Sequence, residues 1–189
     1  MLRSIHYTRT PSSTALVTAT EVRDQLRMTD TLDDSDLIDM AAEAVLECEM
    51  RLGDRSLLNS SCIDYFDCFE DEMELHWSPA SVITGVTYVD SNGTTQTLAN
   101  TVYELGTKNG MGILRLKYDQ TWPTARSHED VIAVSYTAGY GSAPSSVPIN
   151  LKRWVKARAA WLFENRDGEE FPFRLDALLS PQATGRVVG

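Results

Sequence analysis

The stretch VIAVSYTAGYGSAPSSVPINLKRWVKARAAWLFENRDG, from Val131 to Gly168, decides how this chain folds. It opens as a strand. Val131, Ile132 and Val134 are β-branched and Tyr136 is aromatic, and such residues suit a pleated, half-buried surface. Ala138-Gly139-Tyr140-Gly141 follows, two glycines around an aromatic, and reads as a structural turn through positive φ. Ser142 to Ser146 is small and polar and reads as a loop. Pro148 fits the first position of a helix, where its missing N–H costs nothing. From Ile149 to Asn165 the apolar residues recur at helical spacing, and Gly168 supplies a stop. A sheet hands over to a long helix here. The rest of the chain must supply that sheet and a surface for the helix.

Upstream, Met1 to Thr14 is polar and extended and reads as an arm, or as a strand that adds to a neighbour. Its basic residues are not followed by an apolar segment, so it is not expected to be a signal peptide. Thr18 with Glu21 three residues on predicts a capping box that opens a short helix, with Val22 and Leu26 on one face. Asp33, Asp34 and Asp36 then sit where a helix dipole favours acids, and predict a second helix to about Leu52, stopped by Gly53. Its buried stripe is Leu37, Ala41, Ala44, Val45, Cys48 and Leu52.

Two charge rows stand out. Asp39, Glu43 and Glu47 form a like-charged row on the second helix, which by itself mildly destabilises it. Lys152, Arg153 and Lys156 make the helix after Pro148 basic. Either both faces are simply solvated, or they meet between copies of the chain. Trp154 and Trp161 share a face of that basic helix, and with Trp77 and Trp122 read as core or interface anchors.

Between Cys62 and Tyr136 the period shifts towards two. The segment around Ile63 and Tyr65 and the segment Met73 to Trp77 are predicted to form a hairpin across Glu70-Asp71-Glu72. Val82 to Val89 and Thr94 to Leu98 flank the turn Asp90-Ser91-Asn92-Gly93. Tyr103 to Leu105 and Ile113 to Tyr118 flank a glycine-rich turn. The fold class is therefore α+β: a small helical bundle of two N-terminal helices and one long C-terminal helix, an inserted antiparallel β domain and an extended tail. The expected divisions are an arm at 1–16, a helical core at 17–59 and 147–180, the β insertion at 60–146 and a flexible tail at 181–189.

The chain has 189 residues, a formal net charge of −10 and a pI near 4.7. So acidic a chain does not grip DNA through phosphates, but a duplex can slide past a like-charged wall. No apolar run approaches the roughly 20 residues of a membrane span. Cys48, Cys62 and Cys68 are odd in number and lack a CxxC, so they read as core thiols in a reducing compartment. No catalytic or metal site is expected, and no cofactor. Gly106-x-x-x-Gly110-x-Gly112 lacks the ending of a phosphate loop. The acidic run Asp64, Asp67, Glu70, Asp71, Glu72 and Glu74 leaves a cation-binding or enzymatic domain as a minor alternative to a solvated hairpin.

One ordered set of pieces is more specific. Val17-Thr18-x-x-Glu21-Val22 precedes Asp33-Asp34-x-Asp36-Leu37-Ile38. Val86-Thr87-Tyr88-Val89-Asp90-x-x-Gly93 precedes Trp122-Pro123. Val134-x-Tyr136-x-Ala138-Gly139-Tyr140-Gly141, Val147-Pro148, Glu164-Asn165-Arg166 and Leu178-Leu179-x-Pro181 complete it. The set resembles the head–tail connector proteins of tailed bacteriophages, also called adaptors or head-completion proteins. The resemblance spans about Val17 to Pro181, and only Ser60 to Phe69 departs from it, lacking the usual Thr-Trp pair.

The resemblance implies a non-enzymatic virion protein, assembled in the host cytoplasm and located in the neck at the portal vertex. Such proteins form a ring of about a dozen copies beneath the portal, extend the DNA channel without sequence-specific binding, and present a surface to the next neck or tail protein. It implies subunit-interface residues Asp39, Glu43, Glu47, Lys152, Arg153, Trp154 and Lys156. It implies portal docking through Leu175, Leu178, Leu179, Pro181, Arg186, Val187 and Val188. A stopper or tail terminator is the nearest alternative, and the long helices argue against it.

Overall fold

The computed structural model describes residues 2–3, 6–31, 33–165 and 171–179. Of the residues singled out above, Arg166, Gly168, Pro181, Arg186, Val187 and Val188 lie outside the described residues. The chain divides into two compact units. One comprises Met1–Ser12 and Asn59–Gly139, the other Ser13–Leu58 and Tyr140–Gly189. The fold is α+β.

The first unit is all β. Its strands are β1 (Leu2–Arg3), β2 (His6–Thr10), β3 (Ser60–Phe66), β4 (Glu72–Glu74), β5 (Ala80–Val89), β6 (Thr95–Thr97), β7 (Tyr103–Lys108), β8 (Met111–Leu116) and β9 (Ile132–Ala138). They form a five-stranded sheet, β2-β3-β9-β5-β6, and a four-stranded sheet, β1-β4-β8-β7. Among the described strands only β1 with β4 is parallel. The core holds Cys62, Phe66, Val86, Ile132, Val134 and Tyr136 from the larger sheet, and Met73, Tyr103 and Leu114 from the smaller. Strict alternation along β9, with Ile132, Val134, Tyr136 and Ala138 buried, is what places it centrally.

Of the two readings of the N-terminal segment, an arm or an added strand, the structure takes the strand and pairs it within its own chain. β2 pairs with β3 from His6↔Tyr65 to Thr10↔Ser61. The expected hairpin across Glu70-Asp71-Glu72 does not form. β3 pairs with β9 over its whole length, Ser60↔Ala138 to Phe66↔Ile132, and β4 belongs to the other sheet. The physical reason is ladder length: β4 spans three residues, against the seven of β3. The acidic stretch is the crossing between sheets, held by a Trp122 indole N–H donating to the Glu70 carbonyl at 3.0 Å and by Phe69 stacked on Trp122.

The other two hairpins do form. Thr87↔Thr97 and Val89↔Thr95 close the first, with the Asp90 carboxylate accepting from the Asn92 and Thr94 amides. The second turns at Asn109-Gly110, φ 53° and 80°, so its strands run on through Gly106 and Gly112.

The second unit holds α1 (Ala19–Leu26), α2 (Asp34–Arg51) and α3 (Ile149–Glu164). Its core joins Val22, Leu37, Ala41, Ala44, Cys48 and Leu52 to Leu151, Trp154, Val155 and Ala159. The capping box at α1 is present: the Thr18 hydroxyl accepts from the Glu21 amide, and the Glu21 carboxylate accepts from the Thr18 amide. Gly53, at φ 74°, follows the end of α2. Of the three thiols read as core, Cys48 and Cys62 are buried but Cys68 is exposed, because β3 has already ended at Phe66.

Candidate assembly surface

The long helix enters from the turn quoted at the outset. Gly139 and Gly141 take φ 137° and 155°, and Pro148 stands at the N-cap of α3, one residue before the first helical position expected for it, with its carbonyl accepting from the Lys152 amide. A side-chain carbon at Gly141 would meet Ser146 at 2.5 Å, so glycine is required for the close approach. Between the two glycines, Tyr140 donates its amide to the Leu57 carbonyl, and its hydroxyl accepts from Arg55 at 3.0 Å.

The two charge rows are partly consumed inside one chain. The Arg158 guanidinium donates to Glu47 at 2.6 Å, and Arg51 donates to the other Glu47 oxygen at 2.9 Å. Lys152 pairs with Glu21 at 2.9 Å. Burial pushes the Glu21 carboxyl up, but the Lys152 ammonium, the Thr18 amide and the field of Lys156 together hold it below its ordinary value. Trp154 is fully buried within the single chain. Asp39, Glu43 and Arg153 remain exposed, and Lys156 is half-buried. The structure thus brings Glu47 and α3 together within the chain and leaves Asp39, Glu43 and Arg153 facing outwards.

The C-terminal segment lies against α2 and α3 as a strap, ending in a 3-10 turn at Phe173–Leu178. Phe171 meets Trp154 and Trp161 edge to face, with centroids 5.6 and 5.8 Å apart. Arg158 lies over the Trp161 and Phe171 rings. Asp176 accepts from the Trp154 indole N–H at 3.1 Å and from Arg51 at 2.8 Å. The Asn150 side chain donates to the Leu178 carbonyl, Leu179 is buried, and Leu175 and Leu178 pack on the same core. Phe171, Asn150 and Asp176 escaped the sequence reading. The signal for Asp176 was weak: one carboxylate among the leucines of the tail.

In the β unit the buried Asp64 carboxylate accepts from the His76 amide at 2.6 Å and from the Tyr136 hydroxyl at 3.2 Å. That hydroxyl in turn accepts from the Trp77 amide. Burial first, and then the Asp64 charge, push the Tyr136 phenol up. The network ties residues 76–77 to the central strand. Glu72 pairs with Lys108. Among the described residues no group of three or more His, Cys, Asp or Glu side chains could hold a metal ion, and no helix is long and apolar enough to cross a membrane.

Neither protein-family models nor curated proteins match the chain. Solved structures do. A chain in the virion of a native gene transfer agent particle is 24% identical, superposes with a TM-score of 0.80, and pairs 98% of this chain with 98% of its own. The chain shares the fold of a particle-neck protein. Two further structures share this fold. A chain in the neck of the empty gene transfer agent particle, computed with C6 symmetry, has a TM-score of 0.78 at 22% identity, covering 96% of this chain and 98% of its own. A chain in the neck of the native particle, computed with C12 symmetry, has a TM-score of 0.76 at 22% identity over the same shares.

Proposed function

We propose that the chain is a structural, non-catalytic neck protein of a phage-like particle: a head–tail connector that forms a ring between the portal and the tail. The observation that carries this reading is the end-to-end likeness to gene transfer agent neck chains, which leaves almost none of either chain unmatched. The symmetry of those necks supports a ring of copies. The ordered motifs from Val17 to Pro181 point to the same family independently of the fold. Three α-helices among the described residues, packed on one core, support the adaptor over a stopper or tail terminator.

In this role the ring continues the DNA channel, and a net charge of −10 per copy lets the duplex pass without adhering. The strap residues Leu175, Leu178 and Leu179 anchor the C-terminal segment to its own subunit. The segment beyond them, with Pro181, Arg186, Val187 and Val188, is the proposed docking element for the portal.

The test is the native mass of the portal protein from the same genome, alone and mixed with this chain. A portal particle that gains a ring's worth of copies supports the connector. Loss of that gain on deleting residues 180–189 supports the docking element. Binding to a tail-tube protein and not to the portal would instead make the chain a tail terminator.

A further inference from the structure

The two packed helices each carry an outer face, and the two faces are complementary. On α2 the buried stripe Leu37, Ala41, Ala44 and Cys48 faces α3. Its opposite side carries a four-residue ridge of Ile38, Ala42, Leu46 and Met50. Ile38, Leu46 and Met50 are 56%, 55% and 69% exposed, an apolar line on a helix in an otherwise strongly acidic chain. Asp39 and Glu43 flank it, both exposed. On α3 the buried side carries Leu151, Trp154, Val155 and Ala159, and Ala160, nearly in line with Arg153 two turns on, is buried as well, so the open part of the other side is its first two turns. Its outer ridge is Ile149, Arg153 and Ala157, with Lys156 beside it, and Ile149 is 70% exposed.

Both helices use their inner sides on the shared core, so the two outer faces point away from each other. They cannot meet within one molecule. We propose that they meet between molecules: the outer ridge of α2, with Asp39 and Glu43, receives the outer ridge of α3, with Arg153 and Lys156, of a second copy. Ridges at four-residue spacing interdigitate in the commonest class of helix packing. Ile149 enters between Leu46 and Met50, and the acids and bases pair at the rim. The contact joins two different patches, so it is head to tail, and repetition closes a ring or extends a filament instead of stopping at a dimer. Two observations select a second copy as the occupant: the complementary charge and apolar pattern on the same chain, and necks of the same fold computed with C6 and C12 symmetry. The inference rests on the ring-forming neck reading and adds to it the surface through which copies join.

The test is cross-linking of the full chain carrying Leu46→Cys and Ile149→Cys, with the exposed Cys68 replaced as Cys68→Ser. A mild oxidant should give a ladder of covalent oligomers above the dimer, and neither cysteine alone should. In the chain without added cysteines, Glu43→Lys and Arg153→Glu should each weaken self-association by about tenfold or more, and the double variant should recover it. Covalent dimers only, from either single cysteine, would mean a two-fold contact and overturn the proposal. A chain that associates but gives no ladder, unaffected by either charge reversal, would also overturn it. Portal binding without a ladder would keep the neck reading and remove this interface. A ladder without portal binding would keep the interface and remove the neck reading.

Discussion

Asp176 is one carboxylate with two tasks, and two substitutions separate them. One oxygen accepts from the Trp154 indole N–H and the other from Arg51. Trp154 is fully buried, so Asp176→Ala leaves its N–H without the described acceptor, at a cost of about 1–3 kcal/mol. The Arg51 pair is 40% and 23% exposed and Arg51 keeps Glu47, so its loss adds only about 0–1 kcal/mol. Asp176→Asn keeps an amide oxygen for the indole and gives up the charge and the acceptor facing Arg51, so it should cost about 1 kcal/mol or less. The strap has other holds, in Phe171, Leu179 and the Asn150–Leu178 bond. The loss should therefore appear first as opening of the strap, ahead of unfolding of the helices. Hydrogen exchange of the 173–179 amides should quicken strongly in Asp176→Ala and little in Asp176→Asn. The melting temperature should fall by about 2–4 °C for each kcal/mol lost. Equal exchange in both variants and the parent would refute the reasoning and assign the strap to apolar packing alone.

The three thiols should separate cleanly: a maleimide should label Cys68 in the native chain and reach Cys62 and Cys48 only in denaturant, since both are buried and burial pushes the Cys48 thiol up to about 12. Gly112→Ala should destabilise the β unit by about 1–3 kcal/mol, measured by urea unfolding, because its new carbon would lie 2.6 Å from the Ala80 side chain and 3.3 Å from Leu75. Glu21 is held below its ordinary 4.5, so it favours the folded state fully above that value and loses the contribution as pH falls below 4.5 through its folded value. Glu21→Gln should therefore flatten the acid limb of the stability profile, and an unchanged limb would remove Glu21 from acid unfolding.

The helices were legible because their signals are local. A capping box, a dipole-matched acidic start, a glycine stop and a proline start each act within one turn of chain, and the observed ends follow them. The hairpins at Asp90–Gly93 and Asn109–Gly110 were legible for the same reason. The two-sheet arrangement was not, because pairing is settled by competition between distant strands. Ser60–Phe66 offered an alternating pattern without naming its partner, and β9, more than sixty residues away, outcompeted the nearby Glu72–Glu74. The strand at His6–Thr10 could be read only as an alternative to an arm, because it is an edge strand with mostly exposed polar side chains and its partner β3 lies more than fifty residues on. Of the candidate surface, the charge rows were visible, but the partner of each charge was not. Lys152 meets Glu21, a residue of the short first helix that sequence spacing does not connect to it.

The acidic row on α2 divides into a paired end and an exposed end. Four helical residues turn about 40° beyond a full circle, so Asp39, Glu43 and Glu47 spiral gradually round the helix. By Glu47 the row has reached the side of α3, where two arginines neutralise it. Asp39 and Glu43 remain outside, and among the described residues neither has a paired base. Their mutual repulsion is a small cost of about 0.2–0.5 kcal/mol that the isolated subunit does not recover. Opposite signs follow for two alike substitutions. Glu47→Gln should lower subunit stability, because Arg158, which is only 14% exposed, loses its ionised partner. Glu43→Gln should leave subunit stability equal or slightly higher while weakening association between copies. Urea unfolding of the monomer and sedimentation at rising concentration measure the two quantities separately. If Glu43→Gln lowers both together, Glu43 acts within the subunit, and the outer face of α2 loses its claim to a partner.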